Sequence, residues 1–123
     1  MESRFEQKSP ELTRENFTAS HLLKTVHWWN ACGLGDFGLY YLRDKQKHEV
    51  DFLIARDKKP FMMVEVKSSS QHGISRNIEH FQKTLKAPYA FQLAFDMPAS
   101  GIAPSELNRP AIIAAADLFK TLV

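Results

Sequence analysis

Two apolar runs, His48 to Ala55 and Phe61 to Lys67, flank the polar segment Arg56-Asp57-Lys58-Lys59-Pro60, and this arrangement constrains the chain more than any other. Runs of this length, rich in β-branched and aromatic residues and bounded by turn-forming residues, read as a strand pair. A five-residue loop between them sets Ala55 against Phe61, Asp51 against Glu65 and Glu49 against Lys67. Side chains alternate with period two along a strand. One face of the hairpin then carries Val50, Phe52, Ile54, Met62, Val64 and Val66 and is wholly apolar. The other carries Leu53, Ala55, Phe61 and Met63 near the turn, and Glu49, Asp51, Glu65 and Lys67 farther from it.

Two acids facing each other on a strand pair repel and weaken it. If partly buried, each also raises the pKa of the other. A divalent cation between them reverses both penalties. Magnesium favours carboxylate oxygens and keeps several waters, so two acids are a sufficient protein contribution. Water on such an ion is more acidic than bulk water and can attack a phosphodiester. Lys67 lies two residues after Glu65 on the same face, where its ammonium can orient that water or offset charge growing on phosphate. The plainer account is a solvated sheet face with Glu49–Lys67 and Asp51–Lys67 ion pairs, which is common on strands. Against it, both strands are otherwise strongly apolar, as in a sheet covered on both faces.

The rest of the chain supplies elements to cover such a sheet. Residues 1–9 are polar and read as a tail preceding a single domain over residues 10–123. Ser9-Pro10-Glu11 reads as a helix start, with Ser as cap, Pro at the first helical position and Glu at the positive end of the dipole. Leu12, Ala19, Leu22, Val26 and Trp29 follow at helical spacing, and Gly33 and Gly35 end the helix. Glu15 occupies the gap in that stripe. Acids suit helix starts, but if the stripe packs on the sheet, Glu15 reaches the acid cluster as a third carboxylate. Phe37 to Arg43 reads as a strand before the pair, giving an antiparallel meander with a polar turn at 44–47. Beyond the pair come a loop over 68–73 and a helix marked by Ile74, Ile78, Phe81 and Leu85. A strand at Tyr89 to Phe95, a proline-containing loop over 97–110, a short strand at 111–113 and a terminal helix over 117–122 complete the chain.

Composition narrows the function classes. The 123 residues suffice for one domain, and 44% hydrophobic with 24% charged residues is ordinary for a globular one. The formal charge of +2, from 16 basic and 14 acidic residues, is too balanced to mark nucleic-acid binding by itself. One cysteine, Cys32, excludes an intrachain disulfide and a multi-cysteine zinc site. No apolar run approaches the roughly 20 residues of a membrane-spanning helix. The charged N-terminus does not resemble a secretory signal, so the expected compartment is the cytoplasm. His21, His27, His48, His72 and His80 show no metal-ligand spacing and read as surface residues. Ser68-Ser69-Ser70 reads as a polar loop and Arg76, Lys83 and Lys86 as a solvated helix face. Trp28 and Trp29 read as core or interface packing, and Cys32 as a small buried residue.

Several segments together carry a family resemblance. They are Arg14-Glu15-Asn16-Phe17 with Leu22-Leu23-Lys24, Tyr40-Tyr41-Leu42-Arg43-Asp44, Glu49-Val50-Asp51-Phe52-Leu53-Ile54, and Val64-Glu65-Val66-Lys67-Ser68. Over about residues 13–95 the chain resembles DUF4143, the C-terminal region of bacterial and archaeal AAA-type ATPases, which is similar to PD-(D/E)xK restriction-endonuclease-like domains. The resemblance implies Glu15 as a helix-borne acid and Asp51 and Glu65 as metal ligands with the Val66 carbonyl nearby. It implies Lys67 as the catalytic lysine. It also implies an attached ATPase, whereas the chain contains no G-x-x-x-x-G-K-[ST] phosphate loop. The helical segment that precedes the Glu-bearing helix in the family is missing, and position 21 is His where the pattern has an acid.

The expected fold is therefore α/β and restriction-endonuclease-like, with a mixed central sheet flanked by helices. Two functions stay open. The first is a magnesium-dependent nuclease, with manganese as an alternative ion, hydrolysing nucleic acid through Glu15, Asp51, Glu65 and Lys67. The second is a non-catalytic module that docks on an AAA-type ATPase or binds nucleic acid, since this fold also serves as a scaffold. A dimerisation domain, and hence a homodimer, is a third arrangement, for which exposed Trp28 and Trp29 would be the sign.

Overall fold

The structure, a computed structural model, describes residues 10–67, 73–100 and 110–122, with residues 10–13 as backbone only. The expected tail over 1–9, the Ser9 cap, the Leu12 side chain, Ser68-Ser69-Ser70, His72 and most of the 97–110 loop lie outside the described residues. Helix α1, Pro10–Ala31, has proline at its first position, where the missing N–H costs no hydrogen bond. Leu22 and Val26 are buried, and Ala19 and Trp29 pack against the same core, as the stripe predicts. Thr18 and Thr25 are buried beside them. Their hydroxyls donate to the carbonyls of Arg14 and His21, at 2.8 and 3.0 Å, so the helix satisfies them internally. The helix ends two residues before Gly33, whose φ of 73° is left-handed.

Five strands form one sheet in the order β1-β2-β3-β4-β5. Strands β1 (Phe37–Arg43), β2 (Glu49–Arg56) and β3 (Lys59–Lys67) make the expected antiparallel meander. Strand β4 (Tyr89–Ala94) runs parallel to β3, and β5 (Ala111–Ala114) parallel to β4. Parallel neighbours need a crossover, and helix α2 (Arg76–Leu85) is the one between β3 and β4. Helix α3 (Ala115–Thr121) follows β5 directly. The fold is thus α/β with a mixed sheet flanked by three helices.

The core has two layers. On one face Phe52, Ile54, Met62, Val64, Phe91 and Leu93 pack against Leu22 and Val26 of α1 and Leu118 of α3. On the other, Val50, Met63 and Ala90 meet Ile78 and Phe81 of α2. No described helix is long and apolar enough to cross a membrane. Two expectations about single residues change. Cys32 is exposed rather than buried, because it lies just past the end of α1. Trp28 is 60% exposed, while its neighbour Trp29 packs against Phe37 and Phe61.

The β2–β3 turn is tighter than the five-residue loop expected. Pairs Phe52↔Val64, Leu53↔Met63 and Ile54↔Met62 follow the expected register. The next pairs are Ala55↔Pro60 and Arg56↔Lys59, which leaves Phe61 as an extra residue. A bulge of this kind lets proline sit in a strand, since one ladder position lacks its N–H. It also re-aims Phe61, which packs edge-on to Trp29 and Phe37 instead of lying on the Met63 face. The turn itself is Asp57-Lys58, with φ of 52° and 68°. Both values are left-handed, as a two-residue hairpin turn requires, and side chains other than Asn, Asp and Gly resist them. Lys58→Gly is therefore expected to stabilise the protein by about 0.5–1 kcal/mol, read from the urea midpoint. A lower midpoint would refute the strain argument.

Candidate functional site

The far end of the same hairpin holds the charged residues. Across β1 and β2 the register runs Tyr40↔Leu53 and then Leu42↔Val50, so β2 takes three steps while β1 takes two. The extra residue lies in the Asp51-Phe52 stretch. Its consequence is visible in the packing: Val50 belongs to the α2 layer, Phe52 and Ile54 to the α1 layer. The expected all-apolar face thus loses Val50, because a bulge reverses the alternation and turns the side chain beside it. Asp51 sits at that reversal, half-buried. Its Oδ2 accepts the Val66 N–H at 2.8 Å, just beyond Phe52↔Val64, the last paired position of β2 and β3. A carboxylate thereby satisfies a backbone donor where the strands part.

Glu15 reaches this region from α1. A cleft of about 190 Å³ is lined by Glu15, by Tyr41, Leu42 and Arg43 of β1, and by Glu49, Val50 and Asp51 of β2. Glu49 forms an ion pair with Arg43 at 2.8 Å, where the plainer account of this face had paired it with Lys67. This follows from β1 lying next to β2, with Arg43 directly opposite Glu49.

Glu65 lies on the α2 face, under the start of that helix. It is 6% exposed, and its Oε2 has no hydrogen-bond partner among the described residues. Burial pushes its carboxyl above the ordinary value near 4.5; a hydrogen bond from the Ser75 hydroxyl and the charge of Lys67 pull it down, and the charge of Asp51 pushes it up. The net shift is upward, so burial prevails. Ser75 is also the cap of α2: its Oγ accepts the Ile78 N–H at 3.1 Å. Its own N–H donates to Oε1 of Gln92 at 2.9 Å, and the Gln92 amide donates to the Gly73 carbonyl at 3.0 Å. Gln92 is fully buried on β4, in register with Glu65. Buried Glu65 and Gln92 and half-buried Ser75 thus form a connected polar group, of which only Glu65 was singled out from the sequence. The signal was available: Gln92 is the one polar side chain inside Ala90-Phe91-Gln92-Leu93-Ala94.

The structure therefore brings Glu15 and Asp51 to one cleft and sets Glu65, with Lys67 two residues on, behind the parted strands. Glu15, Asp51 and Glu65 are not a group whose ligand atoms all lie within 4.8 Å; among the described residues Asp44, His48 and His80 are. The donors fit a hard cation all the same. They are carboxylate oxygens, and one buried oxygen lacks a partner among the described residues.

A raised carboxyl has a pH consequence. Protonated Glu65 favours the folded state, a contribution complete below the unfolded-state value near 4.5 and lost as pH rises through the folded value. Ionised Glu65 therefore opposes folding relative to its protonated form. Glu65→Gln is expected to exceed wild type in stability by about 1–3 kcal/mol at neutral pH, the range for a buried polar group left unsatisfied. The gap should close in acid. Urea midpoints measured across this range check it, and a gap independent of pH would count against it.

Comparison with known proteins adds one finding. No curated protein and no solved structure matches the chain. A family model described as a domain of unknown function matches residues 13–97, a span that takes in Glu15, the whole meander, α2 and β4. The chain belongs to the DUF4143 family.

Proposed function

We propose that this chain is a nuclease-like domain of the PD-(D/E)xK type that hydrolyses phosphodiester bonds of nucleic acid with magnesium, manganese being able to serve the same oxygen donors. The observation that carries the reading is the buried Oε2 of Glu65, which has no hydrogen-bond partner among the described residues, near a half-buried Asp51 where two strands part. Natural cores leave few such atoms without a reason. A divalent cation supplies that reason. Asp51 and Glu65 would hold it, with the Val66 carbonyl close by and Glu15 contributing from α1. When bound, magnesium supplies an acidified water and countercharge for the phosphate.

The chain's own residues do the rest. Asp51 is oriented by the Val66 N–H, and Glu65 by the Ser75 hydroxyl, so neither carboxylate must be ordered at the moment of binding. The Lys67 ammonium already acts on the Glu65 carboxyl electrostatically. In the reaction its role is to hold the attacking water and offset charge on the phosphate. The test is cleavage of labelled DNA and RNA with magnesium or manganese, comparing wild type with Asp51→Ala and Lys67→Ala. The proposal expects cleavage that both variants lose. Activity unchanged in both would remove it.

A second reading is favoured by α1, where Phe17 and Trp28, eleven residues apart and so on one side of the helix, are each more than half exposed. There the chain is a non-catalytic module that docks this face on an AAA-type ATPase. Calorimetric titration separates the two readings. Magnesium heat absent from wild type, with cleavage also absent, leaves the docking module.

A further inference from the structure

The β1–β2 turn, next along the chain to Arg43 and Glu49 of the cleft, holds a second cluster built of different chemistry. Asp44 follows β1, His48 precedes β2, and His80 comes from the middle of α2. Oδ1 of Asp44 accepts the backbone N–H groups of Gln46 and His48, each at 2.9 Å, which fixes the carboxylate plane. Oδ2 is aimed at both rings, 3.0 Å from Nδ1 of His48 and 3.0 Å from Nε2 of His80. The two imidazoles stack, with centroids 3.8 Å apart and planes 15° apart, and both lie against Phe81.

We propose that Asp44, His48 and His80 form a binding site for a transition-metal dication of the zinc class, with a coordination position left open to solvent. One ligand atom from each residue lies within 4.8 Å of the other two. A tetrahedral ion with ligands at about 2.0–2.1 Å needs its donors roughly 3.3 Å apart, so small side-chain shifts suffice. The required shift is defined: the near-parallel rings must tilt so that their lone pairs converge on the ion. All three side chains are between a quarter and two-fifths exposed, which gives an ion an entry path and room for water as fourth ligand. The donor set decides the metal. Two imidazoles and one carboxylate select zinc, copper or nickel over magnesium, whereas Asp51 and Glu65 offer oxygen alone. The three residues span 36 positions and join the hairpin turn to α2. An ion there would pin α2, and with it the Ser75 cap that bonds to Glu65, against the sheet.

Without an ion the cluster is a hydrogen-bonded brace, with both rings donating to an ionised carboxylate. The experiment separates brace from site. Chelator-treated protein is titrated with zinc by calorimetry and with cobalt by its visible absorption, as wild type and as His48→Gln, His80→Gln and His27→Gln. The proposal expects one zinc per chain. It expects a loss of more than about 100-fold in affinity in each of the first two variants, beyond what losing an outer-shell partner causes. His27→Gln, on the exposed face of α1, should bind as wild type. Wild-type binding that persists undiminished in His48→Gln and His80→Gln, or no binding at all, overturns the proposal and leaves the brace. Imidazole NMR of the wild type covers the case of a variant that fails to fold. There, zinc must shift the ring resonances of His48 and His80, and unmoved resonances overturn the proposal equally.

Discussion

Asp51→Ala should lower magnesium-dependent cleavage by about 10²–10³-fold or more, the loss typical when one preorganised electrostatic group is removed from a transition state. The same change should cost stability. Asp51 Oδ2 is the acceptor for the Val66 N–H at the point where β2 and β3 stop pairing. Alanine strands that donor in a partly buried setting, which costs about 1–3 kcal/mol. The two losses can be separated. Asp51→Asn keeps an oxygen that can accept from Val66 but removes the charge, so it should recover most of the stability and little of the cleavage. Rates and urea midpoints on the three proteins decide the matter. If asparagine restores cleavage as well as stability, Asp51 is a strand clamp and not a ligand. Lys67→Ala offers an independent check, since it should lower cleavage to a similar degree while leaving the Val66 contact intact.

Phe91→Ala should be the most destabilising single substitution considered, at about 3–5 kcal/mol. Phe91 is fully buried in β4, paired with Val64 on one side and Ala111 on the other, and stacks on Tyr89. It belongs to the layer that α1 and α3 cover, so its removal leaves a void that no single element can close. A domain of this size has about 5–15 kcal/mol of stability in total, so the loss is a large fraction of the whole. Phe91→Leu, which keeps most of the volume, should cost under about 1.5 kcal/mol. Equal midpoints for the two variants would show that the layer does not depend on filling this site.

The long amphipathic segments were legible because their chemistry is local. Pro10 opens α1, glycine follows its end, and Ile78 and Phe81 turn inward on α2 as their spacing requires. The meander was legible for the same reason: alternating runs separated by polar turns pair with their neighbours. What alternation misjudged was its own continuity. Two bulges, one beside Pro60 and one at Asp51, each insert a residue and reverse the faces beyond it. Phe61 and Val50 therefore pack opposite to their strict period-two assignment. A bulge depends on how two strands fit against third elements, and a strand's own residues carry little of that information.

The site divides along the same line. Residue types and spacing along the chain were enough to pick out Glu15, Asp51, Glu65 and Lys67 as candidates and to read the strands, the helices and the antiparallel meander; the mixed sheet was expected only from the family resemblance. They were not enough to find Gln92 beside Glu65, because the two meet through a parallel register created by the α2 crossover. Nor could spacing reveal Asp44, His48 and His80. His80 is 36 residues from Asp44, and its ring arrives only because α2 lies across the β1–β2 turn. Local periodicity follows from neighbouring residues and is written in the chain. The meeting of distant polar groups follows from how layers stack, which is settled only when the whole core packs.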